Sequence, residues 1–204
     1  MSGATLWLLL GLGLAVLVVR RRSSAVVLIA VQSLVLAVVA LADALEGSAA
    51  PLVAVVLLAR AAALPAILLL LVVRTREPRR VGGEGPAIAR LVVGIAVVLA
   101  GVALVPAIGL DSAAAGQTAA GLLLLGIVTA ATRRPVVFQA LAFLIAENGV
   151  YVAALSLIGG VPALVEIGVL FDLVVIVSVA GAFGTRIHEE FGTGDSSVLR
   201  GLRD

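Results

Sequence analysis

Residues 133–172 read RRPVVFQALAFLIAENGVYVAALSLIGGVPALVEIGVLFD, two long apolar segments joined at Gly159-Gly160. Three carboxylates, Glu147, Glu166 and Asp172, stand inside these segments, where a lipid-facing helix should carry none. An ionised side chain near a bilayer centre costs on the order of 3 kcal/mol on insertion scales, so each carboxylate needs a buried task. Proton transfer is the task expected here, with the three groups as stations on one path.

The rest of the chain has the same character. Of 204 residues, 62% are hydrophobic and 13% charged, and several apolar runs reach the length that spans a bilayer. Only short polar breaks separate the runs, which excludes a large soluble core. Lipid offers no partner for unpaired backbone groups, so the expected fold is all-α, a polytopic membrane helix bundle. Cysteine is absent, which removes disulfides, thiolate metal ligands and iron–sulfur ligation. With His188 as the single histidine, a haem or zinc site lacks its usual ligands. No metal site and no cofactor is expected in this chain; a redox group would belong to another subunit.

The first apolar run, from about Leu6 to Val19, stops at Arg20-Arg21-Arg22. A signal peptide carries positive charge before its apolar region, and here the charge follows, so a retained first helix is expected. Gly11 and Gly13 lie inside this run with no strand before them, which favours helix packing through small residues over nucleotide binding. A second helix is expected from about Ala25 to Ala42, with Gln32 at its middle and Asp43 and Glu46 beyond it. The third runs from Pro51 to Val73, entered through a proline suited to a first helical position. Arg60 falls at its mid-depth, and Pro65 shortly after predicts a kink or local unwinding. The polar linker RTREPRRVGGEG (74–85) follows. Further helices are expected at Ile88 to Ile108, Ala113 to Thr132, Pro135 to Ile158 and Pro162 to Phe183, then a mixed-charge tail. The organisation is a four-helix membrane segment over 1–110, a three-helix segment over 111–185 and a short cytoplasmic tail over 186–204.

Charge placement supports this count of seven. All fourteen cationic residues are arginine. Apart from Arg60, each lies after the first, third, fifth or seventh helix, counting Arg90 as the flank of the fourth. The intervening ends hold Asp43, Glu46 and Asp111 and no arginine. The positive-inside rule then puts the N-terminus outside and the C-terminus in the cytoplasm. The arginine clusters read first as topology signals and lipid headgroup contacts, with no nucleic-acid partner expected.

Depth follows from the helical rise. At about 1.5 Å per residue, Gln32, Arg60, Glu147 and Asp172 all come out roughly 14–17 Å from the outer helix ends, near the midplane of a core about 30 Å thick. Glu166 is shallower. Such a row suits lateral transfer along a buried axis better than a complete channel within one small subunit. A weak internal repeat accompanies it: helices one to three echo helices five to seven, with Gln32 matching Glu147 at an offset of 115 and Arg60 matching Asp172 at 112.

The C-terminal half, GLLLLGIVTAATRRPVVFQALAFLIAENGVYVAAL followed by PALVEIGVLFDLVV, resembles the membrane subunit family called hydrogenase-4 component E. That family is similar, in its last three helices, to the K subunit of respiratory complex I and the C-type subunit of multisubunit cation/proton antiporters. The Glu147-Asn148-Gly149 triplet and the run from Glu166 to Asp172 carry the resemblance, which covers about a third of the chain. It implies a non-redox subunit in the membrane arm of a complex I-like, hydrogenase-related assembly of a bacterial or archaeal cytoplasmic membrane. The implied partners are large antiporter-like subunits and other membrane-arm subunits. Glu147 and Glu166 match the proton-transfer carboxylates of K-type subunits. Arg60 stands where the family usually has a lysine before a proline; lysine can lose its proton when buried and arginine effectively cannot. Arg60 is therefore expected as a fixed charge partner for the carboxylates.

Desolvation favours a neutral carboxyl and a nearby cation favours the charged form, so a carboxyl between the two can exchange a proton near neutral pH. Glu147, Glu166 and Asp172 are the proton-transfer candidates, Arg60 the charge partner, and Gln32 and Asn148 a polar relay. Each has a structural alternative: an interhelical hydrogen bond for Glu147 and Gln32, an interface contact for Glu166, mutual neutralisation for Asp172 and Arg60, and a helix-end contact for His188. Three functions remain: an energy-coupling subunit, a passive scaffold for antiporter-like subunits, and an independent small transporter. No nucleophile with a nearby base and no metal motif is present, so no catalytic site is expected in the chain itself.

Overall fold

The computed structural model of the chain describes residues 2–45, 51–74, 86–104 and 113–156. These residues are all-helical: α1 (Gly3–Val18), α2 (Arg22–Leu45), α3 (Pro51–Arg74), α4 (Ala87–Leu104), α5 (Ala113–Thr132) and α6 (Val136–Leu155). The expected seventh helix lies outside the described residues. Three spans, Arg22–Ala42, Ala113–Thr132 and Val136–Leu155, are long and apolar enough to cross a membrane, and shorter apolar segments lie in α1, α3 and α4.

Helix ends follow local chemistry. Ser2, in extended conformation, accepts a hydrogen bond from the Thr5 backbone N–H at 3.2 Å and so caps α1 three residues earlier than the apolar run alone indicates. Pro51 opens α3, as its missing N–H permits. The unwinding expected near Pro65 is not seen: α3 runs unbroken through it, with Pro65 buried. Hydroxyls inside the apolar helices bond back to their own turns, Thr129 Oγ1 to Leu125 O and Ser156 Oγ to Val152 O, each at 2.7 Å. That satisfies polar groups where no water competes.

α1 and α2 form an antiparallel hairpin across residues 19–21, and α5 and α6 form a second across residues 133–135. The hairpins stand side by side, with α1 on α5 and α2 on α6. They run in the same direction: Leu10 lies against Gly121, Gly13 against Leu122 and Leu125, and Arg133 reaches the carbonyls of Leu17 and Val19. α4 packs against α1 and α5, and α3 against α2.

Within the second hairpin the contact is backbone to backbone. A Cβ on Gly126 would stand 2.7 Å from Ala142 O, and one on Gly149 2.7 Å from Ala119 O. Small residues allow this closeness, the usual way apolar helices gain packing when their surroundings are as apolar as they are.

Around its apolar core the bundle also exposes apolar side chains and buries several polar ones. Val27, Val31, Leu34, Val38 and Leu41 form an exposed stripe on α2, and Ile88, Val92, Ile95 and Leu99 form one on α4, both at three- and four-residue spacing. Gln32, Ser33, Thr118, Thr129, Glu147 and Asn148 are buried.

Candidate functional site

The site is a polar seam where α2 meets α6. Gln32 and Asn148 are fully buried, and Asn148 Nδ2 donates to Gln32 Oε1 at 2.8 Å. Gln32 Nε2 in turn donates to the carbonyl of Leu9 on α1, also at 2.8 Å. Ser33, one residue on, exchanges longer bonds of 3.4 Å with the Asn148 amide. Gly13, one turn past Leu9, leaves room for this arrangement: a Cβ there would lie 3.5 Å from Gln32 Nε2 and 3.1 Å from Leu125. Three helices, α1, α2 and α6, are thereby joined through side-chain amides in an otherwise apolar interior.

Glu147 precedes Asn148 on α6 and is 9% exposed. Tyr151, also buried, follows one turn later and shares its side of the helix. A buried carboxyl next to a fixed amide pair can hold, release or accept a proton, or neutralise a cation.

Of the residues singled out from the sequence, Gln32 and Asn148 are thus in direct contact, and Glu147 is the buried residue that precedes Asn148 in α6. Arg60 lies in α3, which packs on α2, but its side chain lies outside the described residues. Glu166, Asp172 and His188 also lie outside them. Gln32 and Asn148 hold fixed amide hydrogen bonds, and amides do not give up protons at ordinary pH, so the pair fits a clamp better than a relay.

Two features escape a reading by residue type. Ser33 was one serine among several, yet it meets Asn148 at a separation of 115 residues, the offset that matches Gln32 to Glu147. The arginines are the second. Arg22, Arg90 and Arg133 are buried, contrary to the expectation of headgroup contact. Arg133 Nη1 and Nη2 donate to Leu17 O and Val19 O at 3.2 and 2.9 Å, and Arg90 Nε donates to Leu17 O at 3.0 Å. Cations at the C-terminal end of α1 complement the helix dipole and satisfy carbonyls that lack helical partners. The Arg133 guanidinium also stacks 3.6 Å above the Phe138 ring centroid. Gln139 closes the same corner by donating to Ala130 O at 2.9 Å and Arg133 O at 2.6 Å.

No protein-family model and no solved structure matches the chain. Over 81 residues it is 38% identical to an uncharacterized protein of Mycobacterium tuberculosis, Rv0085. The matched stretch is 40% of this chain and spans 37% of the length of that relative.

Proposed function

We propose that the chain is a multi-pass subunit of a prokaryotic cytoplasmic membrane, with seven spans, an outer N-terminus and a cytoplasmic C-terminus. In this reading it belongs to the membrane arm of a complex I-like, hydrogenase-related assembly and contributes buried carboxylates to proton or cation translocation. It carries no redox cofactor of its own and works beside large antiporter-like subunits. The observation that carries the reading is Glu147, a carboxylate 9% exposed in an apolar bundle, held next to an amide that is locked across two helices. An ionisable group at such a place is a functional station by default. The aliphatic stripes on α2 and α4 supply the lipid-facing surface the reading needs.

A second reading, a passive scaffold between antiporter-like subunits, draws on the Arg133 corner and the Gln32–Asn148 bond, both of which hold helices together. Affinity purification of the tagged chain from its native membranes tests the assembly common to both. Co-purification of antiporter-like subunits is expected, and recovery of the chain alone would contradict it. The scaffold is separated from the translocation subunit by Glu147→Gln, which a scaffold tolerates.

A further inference from the structure

The two hairpins repeat one another in three dimensions. Each consists of an apolar helix, a short turn bearing arginines and a second apolar helix running back. Gly13 precedes the pair Arg20-Arg21 by the same interval as Gly126 precedes Arg133-Arg134. Side by side and parallel, the hairpins touch at related positions: Ser33 with Asn148 at a separation of 115 and Arg133 with Val19 and Leu17 at 114 and 116, while Leu10 meets Gly121 at 111 and Gly13 meets Leu122 and Leu125 at 109 and 112. Contacts at similar separations are what side-by-side packing of repeated units produces. Arg133 is buried because it caps α1 of the other hairpin, whereas Arg20 is exposed.

The glycine and arginine matches lie at an offset of 113; the α2–α6 contact lies at 115, and at that offset Ser33 corresponds to Asn148 and Gln32 to Glu147. Glutamine and a protonated glutamic acid have the same length, and each offers one carbonyl acceptor beside a donor. Gln32 uses both functions, accepting from Asn148 Nδ2 and donating to Leu9 O. A neutral carboxyl there would accept from Asn148 and give its O–H to Leu9 O. An ionised one would lose the donor and set a negative charge against that carbonyl.

We propose that Gln32 is the counterpart of Glu147 in the first hairpin, a fixed mimic of the protonated acid, so that the seam contains one exchangeable proton site and one latent site at position 32. This rests on the reading of Glu147 as a translocation carboxylate. Proton binding at either position adds one proton to a carboxylate oxygen and removes one negative charge, with no co-reactant. Among the described helices packed against α2, the charged or titratable groups in this region are Glu147 and Tyr151 of α6 and Arg60 of α3; α1 carries none.

The test compares five versions of the intact complex: the natural chain, Glu147→Gln, Gln32→Glu, those two substitutions together, and Gln32→Leu as the assembly reference. Glu147→Gln is expected to assemble and to lose most of its proton translocation. Gln32→Glu is expected to assemble at least as well as Gln32→Leu, because a neutral carboxyl keeps both hydrogen bonds. The double variant, with its carboxyl moved to α2, is expected to recover the larger part of translocation. If Glu147→Gln is impaired and the double variant is no better, the equivalence of positions 32 and 147 is overturned while the role of Glu147 stands. If Glu147→Gln translocates like the natural chain, the carboxylate reading fails and takes the latent site with it. Assembly of Gln32→Glu below the level of Gln32→Leu overturns the hydrogen-bond argument directly, as does a double variant that fails to assemble when both single variants do so.

Discussion

Asn148 on α6 donates to Gln32 on α2 at 2.8 Å, a side-chain bond between the two hairpins in the buried interior. Truncating Asn148 to Leu removes the donor and leaves Gln32 Oε1 buried without it. An unsatisfied buried polar group costs about 1–3 kcal/mol, whereas replacing both partners with apolar groups is far milder. Unfolding of the purified subunit in mixed detergent should show Asn148→Leu as the more harmful change, with Gln32→Leu added to it costing less than the sum. The coupling should be on the order of 0.6 kcal/mol and up to about 1.7, the range for hydrogen bonds between apolar helices in lipid. Strict additivity would contradict the bond.

The chain has no cysteine, so a pair can be introduced without interference. Ser33→Cys with Asn148→Cys sets two thiols on side chains whose polar tips now lie 3.4 Å apart, and a short bis-methanethiosulfonate reagent should join them. Val31→Cys with Asn148→Cys should not be joined, because Val31 lies on the exposed stripe of α2. Electrophoretic mobility before and after reduction reads both outcomes.

Close packing of α5 on α6 depends on Gly126 and Gly149. Alanine at either position places a methyl group against a backbone oxygen 2.7 Å away, where neither partner can move aside alone. Overpacking of this kind costs about 1–3 kcal/mol. Gly11→Ala, where a Cβ meets nothing within 4 Å, should be neutral or slightly stabilising. Thermal unfolding of the three single variants in one detergent provides the comparison.

At the turn end of the bundle, Arg133→Leu should destabilise by about 1.5–3 kcal/mol, the range for hydrogen bonds made by a charged group. Arg133→Lys should recover only part, because an ammonium cannot reproduce the fork that reaches Leu17 O and Val19 O together. Arg20, exposed at the turn of the other hairpin, should tolerate Ala within about 0.5 kcal/mol. Equal effects at 133 and 20 in a thermal-shift series would contradict the clamp.

Much of the helical frame is legible in the sequence, because apolar runs bounded by arginine, proline and glycine leave the backbone little choice. The bounds of α5 coincide with the expected Ala113 to Thr132. α1 begins earlier because Ser2 caps it, and α2 begins at Arg22 because that arginine is buried rather than projecting as part of a polar break. Gln32 and Asn148 stand out in the sequence as amides inside apolar runs, but their meeting is not legible there. What depth cannot show is rotation about the helix axis, and rotation makes Ser33 a partner of Asn148. Nor does charge counting show that a long side chain such as Arg133 can turn inward and spend its donors on carbonyls of another helix.

The most direct measurement is the number of protons moved per substrate oxidised by the reconstituted complex, comparing the natural chain with Glu147→Gln after confirming equal assembly and equal electron transfer. A translocation subunit predicts a fall in that ratio while oxidation continues. An unchanged ratio in an intact complex would contradict the role given to Glu147 and leave the chain a structural joint.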